Sequence, residues 1–225
     1  MNIQVRDIDF PDKRLVIRAD GDWQGWRSRA CAKEPETVEW IRSFEGISVL
    51  WDVGASVGPY SLIAAALGHK VVAFEPFAPS YGHLQQNIWL NEMDEQISAS
   101  PVALTNGDPL QRLHFKVSDI HPGSALHNKD GEHWQFVMGF KADDFAVEGI
   151  LPDHVKIDVD GSELAVIQGG ENVWDGVQSI MLESEPPDVD AITVILNGAG
   201  LELVDSWKRM GDKTVLRNYL YRRSE

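Results

Sequence analysis

The sequence predicts an α/β fold: a mostly parallel sheet with helices on both faces and an antiparallel last strand. Three observations predict it. From residue 48 onward, short apolar runs alternate with helix-length segments, as strands buried on both faces require. Asp52 and Glu75 close the first two of these runs, beside a glycine or proline turn. The last β-like run, 214–222, has no helix after it, so it inserts antiparallel.

The elements follow in order. Residues 3–5 and 14–18 are short β-like pieces around the turn-rich 9–13. Trp23 and Trp26 come next, and Glu34-Pro35-Glu36 opens a helix reaching about residue 44. Pro35 suits a first-turn position, and the two acids suit the positive helix end. Residues 1–45 are therefore read as an appendage on a domain spanning 46–225. Runs 49–53, 71–74, 98–104, 154–159, 180–182, 201–207 and 214–222 read as strands. Segments 61–67, 79–90, 162–168 and 191–197 read as helices. An insertion over about 105–150 breaks the alternation with two extra β-like runs, 113–117 and 135–140, around the polar 118–128. A long irregular stretch of this kind is commonly functional.

Composition excludes several classes. A 225-residue chain with 43% hydrophobic and 24% charged residues can bury one sizeable core. A net charge of −15 disfavours nucleic acid and anionic membrane surfaces, both of which select basic faces. The single cysteine, Cys31, forms no internal disulfide and no cysteine-based zinc site. No signal-peptide pattern opens the chain and no apolar run spans a bilayer, so a cytoplasmic protein is expected.

Four constellations carry chemistry. The first, Asp52-Val53-Gly54-Ala55-Ser56-Val57-Gly58-Pro59-Tyr60, lies between a strand and a helix. An ordinary turn would also use glycines, but this position after the first core strand is where α/β sheets bind ligands. Its spacing is not the G-x-G-x-x-G of nicotinamide dinucleotides, and Asp52 would repel a phosphate. The second is Glu75-Pro76, seventeen residues after Gly58. A carboxylate there can accept both hydroxyls of a ribose, or it can merely cap the next helix. Together the two favour an adenosine-containing cofactor.

The third is Lys156-Ile157-Asp158-Val159-Asp160-Gly161-Ser162-Glu163. Strand alternation places Lys156, Asp158 and Asp160 on one face, the two acids entering the crevice. Lys156 can pair with either acid and hold it ionised; Asp160 or Ser162 can instead cap the helix. The fourth is Glu183-Ser184-Glu185, which could join the acids of the third in a cluster serving as general base or divalent-cation site, or could be solvated surface. His121, beside Pro122-Gly123, is a third candidate base or a surface histidine.

The three motifs Asp52 to Ser61, Phe74-Glu75-Pro76 and Lys156 to Glu163 resemble, in order, those of the FkbM family of S-adenosylmethionine-dependent methyltransferases. The resemblance extends from about Glu34 to the chain end and includes Val102-Ala103-Leu104 and Lys141 to Phe145. It implies a class I, Rossmann-like, seven-stranded sheet and O-methylation of hydroxyls on sugars or natural products. By position it implies that Asp52, Gly54, Ala55, Ser56, Gly58 and Tyr60 surround the methionine moiety. Glu75 and Pro76 would lie at the ribose, Val102 and Ala103 near adenine, and Asp158 near the transferred methyl. Two positions depart from the family pattern: Ser56 where it usually has Asn, and Asp160 where it often has Glu.

Methyl transfer to a neutral alcohol needs a base, for which Asp158, Asp160 and His121 are the candidates, with residues 118–128 over the acceptor. The cofactor that the resemblance implies is S-adenosylmethionine, with S-adenosylhomocysteine as product; a divalent metal is open but not predicted. The expected acceptor is a small molecule, such as a glycan or natural product, and neither nucleic acid nor membrane is an expected partner. A magnesium-assisted variant using Asp158, Glu183 or Glu185, and a non-catalytic adenosine-binding module, are the competing readings. The sequence names neither the acceptor nor an oligomeric state.

Overall fold

The computed structural model describes residues 3–19, 23–107, 109–115, 121–123, 131–148, 151–208 and 217–224. Strands β1 (Val5–Asp7) and β2 (Val16–Arg18) pair as an antiparallel hairpin. Helices α1 (Trp23–Arg27), α2 (Ala30–Lys33) and α3 (Pro35–Arg42) lead into the main sheet. Its parallel strands are β3 (Val49–Val53), β4 (Lys70–Phe74), β5 (Ile97–Ser100), β9 (His154–Ile157) and β10 (Ser179–Ser184). Strand β11 (Leu201–Lys208) runs with them, and β12 (Arg217–Arg223) is inserted antiparallel to both β10 and β11. The order is β11-β12-β10-β9-β3-β4-β5. Helices α4 (Pro59–Ala66), α5 (Ala78–Leu90), α6 (Ala142–Glu148), α7 (Glu163–Gln168) and α8 (Pro186–Gly198) complete the fold.

Alternation along the strands divides the core. Leu50, Ala73, Met181 and Leu220 pack against α3, α4, α5 and the hairpin, alongside Ile41, Leu62, Ile63 and Leu84. Trp51, Phe74, Ile157 and Leu182 pack on the other face with Val166, Ile167, Ile192 and Leu196. Both faces are covered, which is why the strands read as unbroken apolar runs.

Three expectations need correction. The run 98–104 is two strands, because Pro101 has no N–H to donate and ends the ladder. Strand β6 (Val102–Leu104) leaves the main sheet and pairs with β8 (His133–Phe140), which also pairs with β7 (Leu110–Phe115). Val102 and Ala103 therefore belong to this small second sheet. The run 154–159 ends as strand at Ile157. The helix expected at 191–197 begins earlier, at Pro186, since proline suits a first helical turn. The first residues of the expected strand 214–222, and most of 118–128, lie outside the described residues. No helix among the described residues is long and apolar enough to cross a membrane.

The hairpin is tied to the rest through amide side chains. Asn87 Oδ1 accepts from the Arg18 N–H at 2.8 Å, and Asn87 Nδ2 donates to the Val57 carbonyl at 2.8 Å. Asn91 brackets Val16 in the same way, accepting at 2.9 Å and donating at 2.8 Å. Asn87 is buried, so Asn87→Ala strands two polar backbone groups. A loss of about 2–3 kcal/mol in unfolding free energy is expected, measured by urea denaturation.

Candidate active site

The turn after β3 is shaped by backbone that only certain residues adopt. Gly54 has φ +83°, and a Cβ there would lie 1.9 Å from the Asp158 carbonyl oxygen. The glycine therefore permits the close approach of the β3 turn to the end of β9. Ser56 also has positive φ, at 55°. Its N–H donates to Glu75 Oε2 at 2.7 Å, and the Phe77 N–H donates to Glu75 Oε1 at 2.8 Å. Glu75 at the end of β4 thus clamps the glycine turn.

Glu75 is buried, and burial pushes its carboxyl up to about 7, although the Phe77 and Ser56 N–H groups and Arg27 pull it down. The native state then holds a proton that the unfolded chain has released above its ordinary value of 4.5. Glu75 accordingly destabilises the fold progressively as pH rises from 4.5 to about 7, by about 3 kcal/mol. His154 runs oppositely: burial lowers it to about 4, so its contribution is lost on acidification from 6.5. The two trends overlap, and the comparison with Glu75→Gln separates them. The variant's stability should gain on the wild type between those pH values, by thermal unfolding, and stay parallel above about pH 7.

A second, larger group of charges lies on the sheet face covered by the N-terminal helices. Lys156 Nζ bonds Asp158 Oδ2 at 3.2 Å and stands 5.1 Å above the Tyr60 ring. Alternation along β9 thus continues as far as Asp158, whose side chain is 17% exposed. It fails at Asp160, which has φ +53° and is exposed. Glu185 is exposed at the start of α8. Among the described residues, neither joins the expected acidic cluster. Its third member is instead Glu34, whose carboxylate lies with those of Asp158 and Glu183 within 4.8 Å of one another.

Glu34 forms an ion pair with Lys33 and accepts from the Thr37 hydroxyl at 3.3 Å. Burial opposes its ionisation, but Lys33 and Lys156 outweigh this and lower its pKa. Burial likewise opposes charge on Lys156, but Asp158, Asp52, Glu34 and Glu183 raise its pKa and keep it an ammonium. Three converging carboxylates can contribute to a divalent-cation site, which takes about six oxygens or more. Lys33 and Lys156 already supply the compensating charge, so the set does not fit a resident metal.

The remaining candidates fall as follows. Asp52 is buried and accepts from Ser61 Oγ at 2.5 Å, while its other oxygen has no hydrogen bond. Burial raises its pKa, against Lys156 and Ser61. Tyr60 is buried with its hydroxyl 3.4 Å from the Ala30 carbonyl, in the Glu34 group. The Pro76 carbonyl accepts from Gln135 at 2.9 Å, which joins the small sheet to the Glu75 turn. His121 is exposed next to Gly123. Arg27 grips the Gly123 carbonyl at 2.9 and 3.0 Å, and a Cβ on Gly123 would meet Val57 at 3.5 Å. This segment therefore lies over the glycine turn.

These residues fit S-adenosylmethionine. Among the described residues, the buried Ser56 hydroxyl at the turn has no hydrogen-bond partner, which leaves a polar atom for a ligand to satisfy. Glu75 uses two of about four acceptor positions on its carboxylate, leaving two for a diol.

Comparison with known proteins shows the family. The chain is 26% identical over 173 residues to hexuronic acid methyltransferase AglP of Haloferax volcanii, covering 73% of this chain and 69% of that protein. Solved structures share the fold. The magnesium protoporphyrin IX methyltransferase ChlM of Synechocystis, with bound S-adenosylmethionine, has a TM-score of 0.57 at 16% identity, over 92% of this chain and 87% of that one. The precorrin-6y C5,15-methyltransferase of Geobacter metallireducens has a TM-score of 0.53 at 14% identity, over 85% and 87%. The model of the methyltransferase FkbM domain matches residues 52–209, from the acid before the glycine turn through β11. The chain therefore belongs to the FkbM family and is an S-adenosylmethionine-dependent methyltransferase.

Proposed function

We propose that the chain methylates a hydroxyl of a sugar or glycan, with Asp158 accepting the hydroxyl proton. One observation carries the reading of Asp158. It is the solvent-facing carboxylate of an otherwise buried charge group, and its backbone touches the glycine turn at Gly54. The relative named for a hexuronic acid supports a sugar acceptor. Bound S-adenosylmethionine supplies a methyl already activated by the sulfonium.

The chain's own residues then have three tasks. Gly54, Ala55, Ser56 and Gly58 would hold the methionine end through backbone carbonyls, since their N–H groups are bonded within the chain, and the turn stays fixed because Glu75 binds Ser56. Glu75 accepts the ribose hydroxyls beside Pro76. Asp158 takes one proton from the acceptor while Lys156 holds its carboxylate in place. Holding the acceptor oxygen in line supplies much of the rate. Asp160 and His121 are exposed and are second to Asp158 as base. Asp52 and Tyr60 support the turn and the charge group from beneath.

The test is calorimetric titration with S-adenosylmethionine, then a transfer assay on uronic-acid and neutral-sugar acceptors. Binding together with methyl transfer to a sugar oxygen is expected. Absence of binding ends the cofactor assignment for these residues, and turnover only on non-sugar acceptors ends the sugar reading.

A further inference from the structure

We propose that Glu34, contributed by the N-terminal helices outside the span matched to the family, is a positioning residue for methyl transfer that sets the basicity of Asp158. The inference rests on the reading of Asp158 as proton acceptor.

The usual task of an acid at this place in a sequence is to cap a helix. Glu34 occupies the N-cap of α3, directly before Pro35, yet its side chain makes no capping hydrogen bond. It turns instead to the sheet, 1% exposed, and brings a negative charge to Asp158 and Glu183. Its backbone cannot easily move away. It is the shared junction of α2 and α3. Helix α3 is anchored to the sheet by Trp40 Nε1 to Ser179 Oγ at 2.8 Å and by Asn218 Nδ2 to Glu36 Oε1 at 2.8 Å.

Burying carboxylates costs several kcal/mol each, and apolar replacements of buried ion pairs are often no less stable. Folding alone therefore does not call for a charge here. The chemistry of Asp158 does. Lys156 sits on Asp158 at 3.2 Å and, acting alone, would make it a poor proton acceptor. Glu34 and Glu183 share the attraction of that ammonium and repel the charge on Asp158. Both effects strengthen Asp158 as a base while Lys156 keeps it in place.

Among the described residues, the groups facing this cluster are Lys33 from α2, Tyr60 from α4, Asp52 from β3, Lys156 from β9, Glu183 from β10 and Glu163 from α7, with Arg27 of α1 acting on Tyr60. Burial, with Glu34 next in weight, pushes the Tyr60 phenol well above its ordinary value. Tyr60 therefore does not titrate near neutrality and can donate a hydrogen bond within the group without changing charge.

The test follows the side-chain carboxyl carbon of Asp158 by ¹³C NMR across about pH 3 to 9. The full chain carries S-adenosylhomocysteine, and Asp158→Asn assigns the signal. Glu34→Gln and Glu34→Met, two neutral replacements, should lower the Asp158 midpoint by about one unit or more. Glu34→Asp should restore much of it. In turnover, the neutral variants should lower kcat about tenfold and move the acid limb of kcat/KM down by the same interval, with KM for S-adenosylmethionine unchanged. A midpoint unmoved in a folded neutral variant overturns the proposal. So does failure of all three variants to fold, which marks a purely structural residue. A midpoint that moves while the acid limb stays still sinks the assignment of Asp158 as base, and leaves the coupling of Glu34 to Asp158 standing.

Discussion

Asp158→Asn is expected to lower kcat for methyl transfer by about 10² to 10⁴, the usual worth of a positioned base. Affinity for S-adenosylmethionine should change less than about tenfold. The substitution keeps the shape and one oxygen of the side chain. Lys156 retains Asp52, Glu34 and Glu183 as neighbours, so the buried ammonium is not abandoned. What disappears is the capacity to take a proton at the mouth of the charge group. Single-turnover rates beside calorimetric binding separate the two effects. Equal rates in the variant and the wild type would transfer the role to Asp160 or His121.

Gly54→Ala is expected to be the most damaging small substitution in the turn. The methyl group would occupy a position 1.9 Å from a backbone carbonyl oxygen, at a φ of +83°. Neither partner can rotate away. The turn is bound at Gly54 and Ala55 to the Phe74 carbonyl at 2.9 and 3.0 Å, and the Asp158 N–H is bound to Val53 at 2.9 Å. Strained backbone and overpacking together come to about 4 kcal/mol. For a chain of this length that is a fall of about 10 °C in Tm. Gly58→Ala is the control. Its φ is +85°, but the nearest atom is the tip of the Leu84 side chain at 2.4 Å, which can adjust its rotamer. Differential scanning calorimetry should find Gly54→Ala clearly the worse; equal melting would refute the role given to the Asp158 contact.

Much of this was legible in the sequence, for a physical reason. Strands buried on both faces leave unbroken apolar runs, so β3, β4, β9 and β10 are visible without periodicity analysis. Asp52, Glu75 and Asp158 stand at or next to the carboxyl ends of three of them, where local pattern alone indicates a ligand. Glu34 was not legible in this way. Its partners Asp158 and Glu183 are more than a hundred residues away, and beside Pro35 it has the pattern of a helix-opening acid. Asp160 misled for the opposite reason: alternation was carried past Ile157, where the strand had already ended. The two departures from the family pattern, Ser56 and Asp160, share a feature invisible in sequence. Both have positive φ, at 55° and 53°. Asn is at home in that region, so Ser56 is the less comfortable choice of the two at its position, whereas Asp at 160 is more comfortable than the longer Glu.

The paired amide bonds of Asn87 make the N-terminal hairpin a remote gauge of the cofactor turn. One end of that side chain holds the Arg18 N–H and the other holds the Val57 carbonyl. Tightening of the turn around a ligand is thus carried by a single planar group to an edge strand of another sheet. The Arg18 amide hydrogen becomes a natural label for occupancy. Its exchange with solvent is expected to slow when the turn is filled, checked by hydrogen–deuterium exchange with and without S-adenosylhomocysteine, although no atom of the hairpin belongs to the turn itself.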